Sequence, residues 1–263
     1  MESKKYPKIT VVTPNFNQGD FIERTILSVL EQNYPSLEYI VIDGSSNDHS
    51  VDIIKKYDTH LHYWVSEPDE GMYHAINKGF ALSSGVIMCW INSDDVLWEG
   101  ALHYVATQFI KNEKLQWLQG YPSVIDEDGR LLYQRDPVAS KYHFYLKRYE
   151  KDFSFIQQES TFWTRELWKK TGSYLSLQYS MASDFELWLR FFKYEELYCT
   201  KKQLAAFRKR KGQKSGDGNK YLFEAGSIVK SHLENQSWMF KIKLKITKLF
   251  RAINTKTIIW IDK

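Results

Sequence analysis

Cysteine is scarce in this chain, with only Cys89 and Cys199 among 263 residues. Two such distant cysteines give neither a disulfide framework nor the paired spacing of a zinc site, and they fit a reducing compartment. Long apolar runs are missing too. None approaches the roughly 20 residues needed to cross a bilayer, so no spanning helix is expected. Met1-Glu2-Ser3-Lys4-Lys5 leads straight into a strand pattern, and no secretory signal is expected. The sequence has no internal repeat and no clear interdomain linker.

What remains describes a globular protein. Hydrophobic residues make up 43% and charged residues 26%, which excludes a disordered chain. The length suits one large domain, or a domain with an appendage, and allows a substantial core. Aromatic content is 16%, with nine Trp and 17 Tyr; these can be stacking platforms for sugars or bases, or core. From Gln236 onward seven basic residues face one acidic, a net of +6, so the overall +4 leaves −2 for the residues before it. Basic charge confined to a tail points to a local anionic surface rather than a nucleic-acid groove.

The periodicity alternates strand and helix. Lys8–Thr13 reads as a strand stopped by Pro14–Gly19, with a capping-box spacing at Asp20 and Glu23 and a helical face at Ile22, Ile26, Val29 and Leu30. Tyr39–Ile42 is a second strand, ending in Asp43-Gly44-Ser45-Ser46, followed by a helix over about Ser50–Tyr57 and a short strand at His62–Val65. A loop, Glu67–Gly71, precedes a helix marked by Met72, Ala75, Ile76, Gly79 and Phe80. Val86–Ile91 is an apolar strand, and Ala101, Leu102, Val105 and Phe109 mark the next helix. Such alternation predicts βαβ units and a largely parallel sheet, whose ligands sit beyond the carboxyl ends of the strands. In the second half, Asp128-Gly129 signals a hairpin within Val124–Tyr133, and Ser154–Trp163 reads as strand or loop. Thr164 can cap a short helix. Ser183 and Glu186 repeat the capping-box spacing and put Asp184 in a first helical turn. Leu204–Arg208 reads as one more strand.

The strand Val86–Ile91 stops abruptly at Asn92-Ser93-Asp94-Asp95. Adjacent carboxylates where a buried strand leaves the core are costly unless a cation meets them. A hard divalent ion with oxygen ligands would do so; a solvated turn capping the next helix is the plainer alternative.

Four segments taken in order resemble a family-2 glycosyltransferase of the GT-A fold: TPNFNQGDFIERTILSVLEQNYPSLEYIVIDGSSNDHS, SEPDEGMYHAINKG, WINSDD and ASDFELWLRF. The resemblance spans about Lys8 to Ser215 and is closest in flavour to bacterial capsule, exopolysaccharide or O-antigen enzymes. It implies a Rossmann-like, mostly parallel sheet flanked by helices, with residues 1–115 as nucleotide-binding half, 116–218 as acceptor half, and 219–263 as an amphipathic helical tail. It also implies a nucleotide-diphospho sugar donor, inversion at the anomeric centre, and a divalent cation, Mn²⁺ or Mg²⁺. Thr13, Pro14, Phe16 and Asn17 would line the base pocket, Asp43 would accept a hydrogen bond from base or ribose, Asp69 and Gly71 would lie beside the nucleotide, and Asn77 would buttress their loop. Asp94 and Asp95 match the Asp-x-Asp-type motif with Asn92 in its first place; Asp95 is the expected metal ligand and Asp94 the ribose or metal-water partner. Asp184 matches the catalytic base, with Glu159 as backup. Gln157, Gln158 and Glu159 stand where relatives contact the acceptor. Each of these matches also has a plain reading as turn, cap or helix-terminus charge.

One departure concerns the metal. Relatives often carry Arg-x-His-x-Gly after the last strand, and Arg210 stands in the histidine's place. Arginine cannot ligate a metal but pairs bidentately with phosphate. Arg208, Arg210 and Lys214 are therefore expected to share the leaving-group charge, which puts metal dependence in question.

In the tail, Met239, Ile242, Ile246, Leu249, Phe250 and Ile253 fall on one helical arc and Lys241, Lys245, Lys248 and Arg251 on the other side. That pattern suits an anionic membrane surface; packing on the domain or on a second subunit is the alternative. The expected enzyme is peripheral at the cytoplasmic face of the plasma membrane and acts on a lipid-linked oligosaccharide, with no nucleic-acid partner. Its rivals are a non-catalytic nucleotide-sugar-binding or scaffold module and a sugar nucleotidyltransferase. The latter lacks support, because no Gly-rich basic loop stands near the N-terminus.

Overall fold

The computed structural model describes residues 6–138, 140–213, 218–249 and 258–262. The first half runs β1 (Ile9–Asn15), α1 (Gly19–Leu30), β2 (Leu37–Asp43), α2 (Ser50–Lys56), β3 (Tyr63–Ser66), α3 (Met72–Ala81), β4 (Ile87–Trp90), β5 (Val96–Leu97) and α4 (Ala101–Lys111). The second continues with β6 (Trp117–Gln119), β7 (Ser123–Ile125), β8 (Leu131–Gln134), α5 (Lys141–Tyr145), α6 (Tyr149–Asp152), β9 (Thr161–Thr164), α7 (Arg165–Lys170), α8 (Ser183–Phe191), β10 (Tyr198–Cys199), β11 (Ala205–Arg208), α9 (Gly218–Glu234), α10 (Trp238–Leu249) and β12 (Ile259–Trp260).

The main sheet has the order β12-β10-β6-β9-β4-β1-β2-β3. Its pairings are parallel except at β9, which runs antiparallel between β4 and β6. A smaller sheet, β5-β11-β7-β8, stands beside it. Parallel register aligns Asn15 of β1 with Asp43 of β2, and Asp43 with Ser66 of β3, so three polar side chains end up in one row at the carboxyl edge.

The apolar strands are buried throughout, as a sheet covered on both faces requires. Beneath the carboxyl edge lies an aromatic cluster. Trp90 and Trp188 stack at 5.9 Å, Trp117 and Trp188 at 5.4 Å, and Trp163 meets both Trp90 and Trp188 edge-on. These four indoles are core rather than sugar platforms. Both cysteines are buried and unpaired.

Local capping signals fared unevenly. Thr164 caps α7 as expected, accepting from the Leu167 N–H. The Asp128-Gly129 hairpin forms, with Gly129 at φ 91°. The box at Asp20 and Glu23 does not. The chain enters α1 at Gln18, which makes no side-chain cap, and the Gly19 N–H donates instead to Asp48 Oδ2 at 2.8 Å. The box at Ser183 and Glu186 also fails, since the N-cap position is Ala182.

Residues 219–263 are not a detached appendage. Ala225, Ile228 and Val229 of α9 are fully buried in the core, and β12 extends the main sheet beside β10. Of the expected amphipathic arc, Met239, Ile242 and Ile246 are exposed, while Phe240 and Leu244 dock α10 on the protein. Phe250, Arg251 and Ile253, with the Leu249 side chain, lie outside the described residues.

The first strands are held in register by Glu38, which is almost wholly buried. Its carboxylate accepts from Thr10 Oγ1 (2.6 Å), the Ser84 N–H and Oγ (both 2.7 Å) and the Gly85 N–H (3.1 Å). Burial alone would raise its pKa, but these hydrogen bonds to the charged form prevail and bring it down to about 2. A lowered carboxyl pKa contributes stability above the unfolded value near 4.5 and loses it as pH falls toward 2. Glu38→Gln should cost about 1–3 kcal/mol at neutral pH. In acid titrations followed by denaturant unfolding, the difference from wild type should shrink between those two pH values.

Candidate active site

The row at the carboxyl edge is organised by Asp43. Its Oδ1 accepts from Asn15 Nδ2 and Ser46 Oγ, both at 2.6 Å. Its Oδ2 accepts from the Ser46 N–H at 2.9 Å and from Ser66 Oγ at 2.6 Å. A carboxylate offers about four acceptor positions, and all are taken. Asp43 is fully buried and ties the ends of β1, β2 and β3, so its acceptor positions shape the loop at this edge and are not open to the expected base or ribose. Of the expected base-pocket residues, Thr13 and Pro14 are buried in the strand, with Thr13 Oγ1 3.1 Å from the Tyr39 hydroxyl. Phe16 and Asn17 are exposed at the loop. Asn17 adopts φ 51°, and its Oδ1 accepts from the Asn47 N–H.

Asp69 closes this loop from the β3 side. Its Oδ1 accepts from the Gly71 N–H at 2.7 Å, and Gly71 starts α3 at φ 108°. A Cβ on Gly44 would lie 2.7 Å from Asp69 Oδ2, so the loops after β2 and β3 meet only because residue 44 is glycine. Asn77 does not buttress that loop. Its amide pairs with the Leu175 backbone in both directions (2.8 Å to the carbonyl, 2.7 Å from the N–H) and fixes the segment leading to α8.

Asp94 and Asp95 leave β4 as a buried pair. Asp95 Oδ1 accepts from the Arg208 N–H at 2.8 Å, and its Oδ2 from Asn92 Nδ2 at 3.2 Å. Asp94 Oδ2 accepts from Arg210 Nε at 2.8 Å, while Arg210 Nη2 reaches Gln18 Oε1. Burial pushes the Asp95 pKa well up, reinforced by the charges of Asp94 and Glu159. Glu159 is buried and pushed up to about 7, chiefly by burial; Gln157 donates to it. Gln158 donates to the Trp90 carbonyl at 2.6 Å and so braces the end of β4.

The two arginines have different roles. Arg208 is buried, with Nε on the Asp94 carbonyl and Nη1 on the carbonyls of Asp126 and Glu127. Those contacts make it part of the frame, contrary to its expected place as a phosphate ligand. Arg210 is partly exposed, and its guanidinium lies over the Phe21 ring, 5.1 Å from the centroid. Lys214 lies outside the described residues. Three of the four carboxylate oxygens of Asp94 and Asp95 already accept from protein donors, and a guanidinium stands on Asp94. No cluster of three metal-ligating side chains exists among the described residues. A divalent ion at a phosphate site takes one or two carboxylates with substrate phosphates and water, and here it would have to share Asp94 with the Arg210 guanidinium at close range. This donor set does not fit the expected ion.

Asp184 is the second residue of α8, so the helix dipole favours its ionised form. The Tyr221 hydroxyl lies 3.1 Å from its Oδ1 and 3.2 Å from its Oδ2. Burial pushes the Asp184 pKa up to about 6, against hydrogen bonds from the Phe185 N–H and the Tyr221 hydroxyl, while the Tyr73 hydroxyl donates to the Met181 carbonyl at 2.7 Å. Arg135 bonds the Phe155 carbonyl at 2.8 Å and lies within Coulomb reach of the Glu159 carboxylate. A cleft of about 860 Å³, lined in part by Trp98, Tyr121, Asp136 and Trp260, lies at the opposite end of the small sheet and does not include these acids.

The glycosyl transferase family 2 profile matches residues 10–171. The chain belongs to this family. It is 30% identical over 188 residues to an uncharacterized glycosyltransferase of Mycobacterium tuberculosis, covering 70% of this chain and 68% of that one. It is 26% identical over 165 residues to the Campylobacter jejuni GalNAc(5)-diNAcBac-PP-undecaprenol beta-1,3-glucosyltransferase, covering 59% and 52%. Among solved structures, S. aureus TarS 1-349 in complex with UDP-GlcNAc superposes with a TM-score of 0.71 at 16% identity, over 90% of this chain and 70% of that one. The last likeness establishes the GT-A fold. The protein is accordingly a glycosyltransferase, and Asp184, Arg208 and Arg210 lie beyond the matched segment.

Sequence reasoning missed Asn15, Gln18, Arg135, Tyr221 and Glu224. Asn15 carried a signal, since it ends β1 where a nucleotide loop begins; nothing local marked the others. The split between the arginines is measurable by thermal or denaturant unfolding. Arg208→Ala should cost roughly 3 kcal/mol by stranding buried partners. Arg210→Ala, at a pair 15% and 10% exposed, should cost about 1–2 kcal/mol, less than Arg208→Ala because a single carboxylate oxygen and the Gln18 amide lose their partner.

Proposed function

We propose that the protein is an inverting glycosyltransferase that moves a hexose from a nucleotide-diphospho sugar to a hydroxyl of a lipid-linked glycan in bacterial cell-surface polysaccharide synthesis. Asp184 takes the acceptor hydroxyl proton as that oxygen bonds the anomeric carbon. The bond from that carbon to the diphosphate breaks on the opposite face, and the nucleoside diphosphate leaves with the electron pair. The carrying observation is the separation of two differently held acids. Asp184 is bound by a neutral hydroxyl and keeps a pKa of about 6, which suits a base near neutrality. Asp94 is instead bound to Arg210, a cation at the carboxyl edge.

Arg210 meets the diphosphate charge in place of the divalent ion. A guanidinium paired with Asp94 and Gln18 is pre-oriented, and it can turn one face to phosphate oxygens. Asp69, Gly71 and the exposed Phe16 border the nucleoside, while Asp43 holds their loops. The carrier-linked acceptor has support in the name of the Campylobacter relative.

A place at the inner face of the plasma membrane rests on α10. No helix among the described residues is long and apolar enough to cross a membrane. Yet Met239, Ile242 and Ile246 are exposed beside Lys241, Lys243, Lys245 and Lys248. Such a helix suits the boundary of an anionic bilayer.

The chemistry is tested with UDP-, GDP- and dTDP-sugars by thermal shift, each with Mn²⁺, Mg²⁺ or EDTA, followed by transfer assays. One donor should raise the melting temperature, and EDTA should not abolish the shift. Arg210→Ala should lose most of it. Asp184→Asn should keep it while transfer drops about 10²–10⁴-fold; full transfer in this variant would remove Asp184 as the base. The wild-type rate should fall on the acid side of about pH 6, where Asp184 takes a proton. On the membrane side, the double change Ile242→Ser, Ile246→Ser should lower partition onto phosphatidylglycerol vesicles several-fold, with unaltered donor binding. Equal partition would detach α10 from the membrane reading.

A further inference from the structure

Helix α9 lies beyond the segment that marks the family and crosses the start of α8. Tyr221 and Glu224 stand three residues apart on it and therefore share a face. The Tyr221 hydroxyl is within 3.2 Å of both Asp184 oxygens. Glu224 takes the turn before α8. Its Oε2 accepts from the N–H groups of Met181 and Ala182, both at 2.9 Å. Its Oε1 accepts from the Ser180 N–H and Oγ at 3.1 and 3.0 Å.

This contact replaces a missing local cap. Ala182 has no side chain to cap α8, the Ser183 hydroxyl is buried without a partner among the described residues, and Glu186 is committed to Arg190 at 2.8 Å. The opening turn of α8 is thus held from α9. The clamp is itself anchored, because Ala225, Ile228 and Val229 are fully buried and the Tyr221 ring packs on Phe155 at 4.6 Å.

We infer that Tyr221 and Glu224 are positioning residues for the transfer reaction, with Tyr221 orienting the Asp184 carboxylate and Glu224 fixing the helix terminus that carries it. The inference rests on Asp184 as the base. The titratable and charged groups around Asp184 are Tyr73 on α3, Tyr221 and Glu224 on α9, Tyr149 on α6 and Arg135 behind Tyr221, and Glu186 along α8. Burial raises the Tyr73 and Tyr221 hydroxyls well above the usual range, so both stay neutral while Asp184 titrates. Burial also acts to raise Glu224, but its four donors prevail and lower it, so it stays ionised. A hydroxyl donating to a carboxylate favours the charged form, so its loss must move the Asp184 midpoint upward.

The test uses the full chain labelled with ¹³C at aspartate carboxyls, with the Asp184 signal assigned by its loss in Asp184→Asn. Tyr221→Phe keeps the ring packing and removes only the donor. Its Asp184 midpoint should rise from about 6 by roughly one pH unit. The acid limb of the rate, read as nucleotide release from whichever nucleotide sugar raises the melting temperature, should move with it, and the plateau above both midpoints should stay several-fold below wild type because the ionised carboxylate has lost its orienting donor. Glu224→Gln should speed amide exchange at Met181 and Ala182 about tenfold or more and lower kcat with little change in donor KM. An unmoved midpoint in Tyr221→Phe, or unchanged exchange and kcat in Glu224→Gln, would overturn the inference. Because the midpoint is read without turnover, a shifted midpoint alongside an active Asp184→Asn enzyme would leave the clamp standing and remove the base instead.

Discussion

Arg208 ends β11 buried to 1% exposure, and its contacts reach the turn after β4 and the hairpin after β7. A buried guanidinium is tolerable only if its donors are satisfied, and a buried carboxylate pair only if something cationic lies near. Here each requirement meets the other. The backbone N–H of Arg208 fixes Asp95, its Nε fixes the Asp94 carbonyl, and its charge lies beside an acid cluster that burial would otherwise make untenable. The small sheet is thereby joined to the carboxyl edge of the main one, and Asp94 is left with an oxygen facing Arg210. The two arginines differ in depth and in partners, since Arg208 is sealed on backbone carbonyls while the Arg210 side chain keeps 15% exposure and pairs with the Asp94 carboxylate.

The second acid is solved differently. Asp184 has a helix N-terminus and a hydroxyl donor, which hold a carboxylate in place without lowering its proton affinity as far as a cation would. A group meant to accept a proton near neutrality needs such surroundings, whereas a group meant to orient a guanidinium does not. The same residue type is therefore held in two ways, Asp94 by a cation and Asp184 by a neutral hydroxyl.

The fold was largely legible in the sequence. Alternating strand and helix periods gave β1 to β4 and α1 to α4 to within about two residues while passing over the short β5, and the polar strand ends marked the carboxyl edge where Asp43, Asp94 and Asp95 lie. What stayed hidden was which partner each polar group would choose. Asp43 is filled by Asn15, 28 residues away, and Asp95 is held by Arg208, 113 residues away. Asn77 chose Leu175, 98 residues on. Local spacing rules describe competition within one turn of chain, so both capping boxes looked complete and both lost to tertiary donors or acceptors. Thr164 kept its cap because its own hydroxyl was the nearest acceptor to the Leu167 N–H. For the same reason the expected helical tail from residue 219 matches the start of α9 but not its packing, since Ala225, Ile228 and Val229 enter the core and Tyr221 and Glu224 reach α8.

Helix α10 shows how far periodicity can mislead about direction. Its apolar positions form two edges. Phe240 and Leu244, four residues apart, turn inward, and Phe240 meets the rings of Tyr142 and Tyr145 on α5. Met239, Ile242 and Ile246 turn outward. A helix fixed on one edge with a second apolar edge in the open is poorly explained by packing within one chain, and lysines beside that edge disfavour an acid-poor protein partner more than an anionic headgroup layer. The two helices that close the chain then act in series. The first holds Asp184 and the turn before α8 through Tyr221 and Glu224, and the second, joined to it by the short turn Asn235-Gln236-Ser237, leaves an apolar edge exposed beside its lysines.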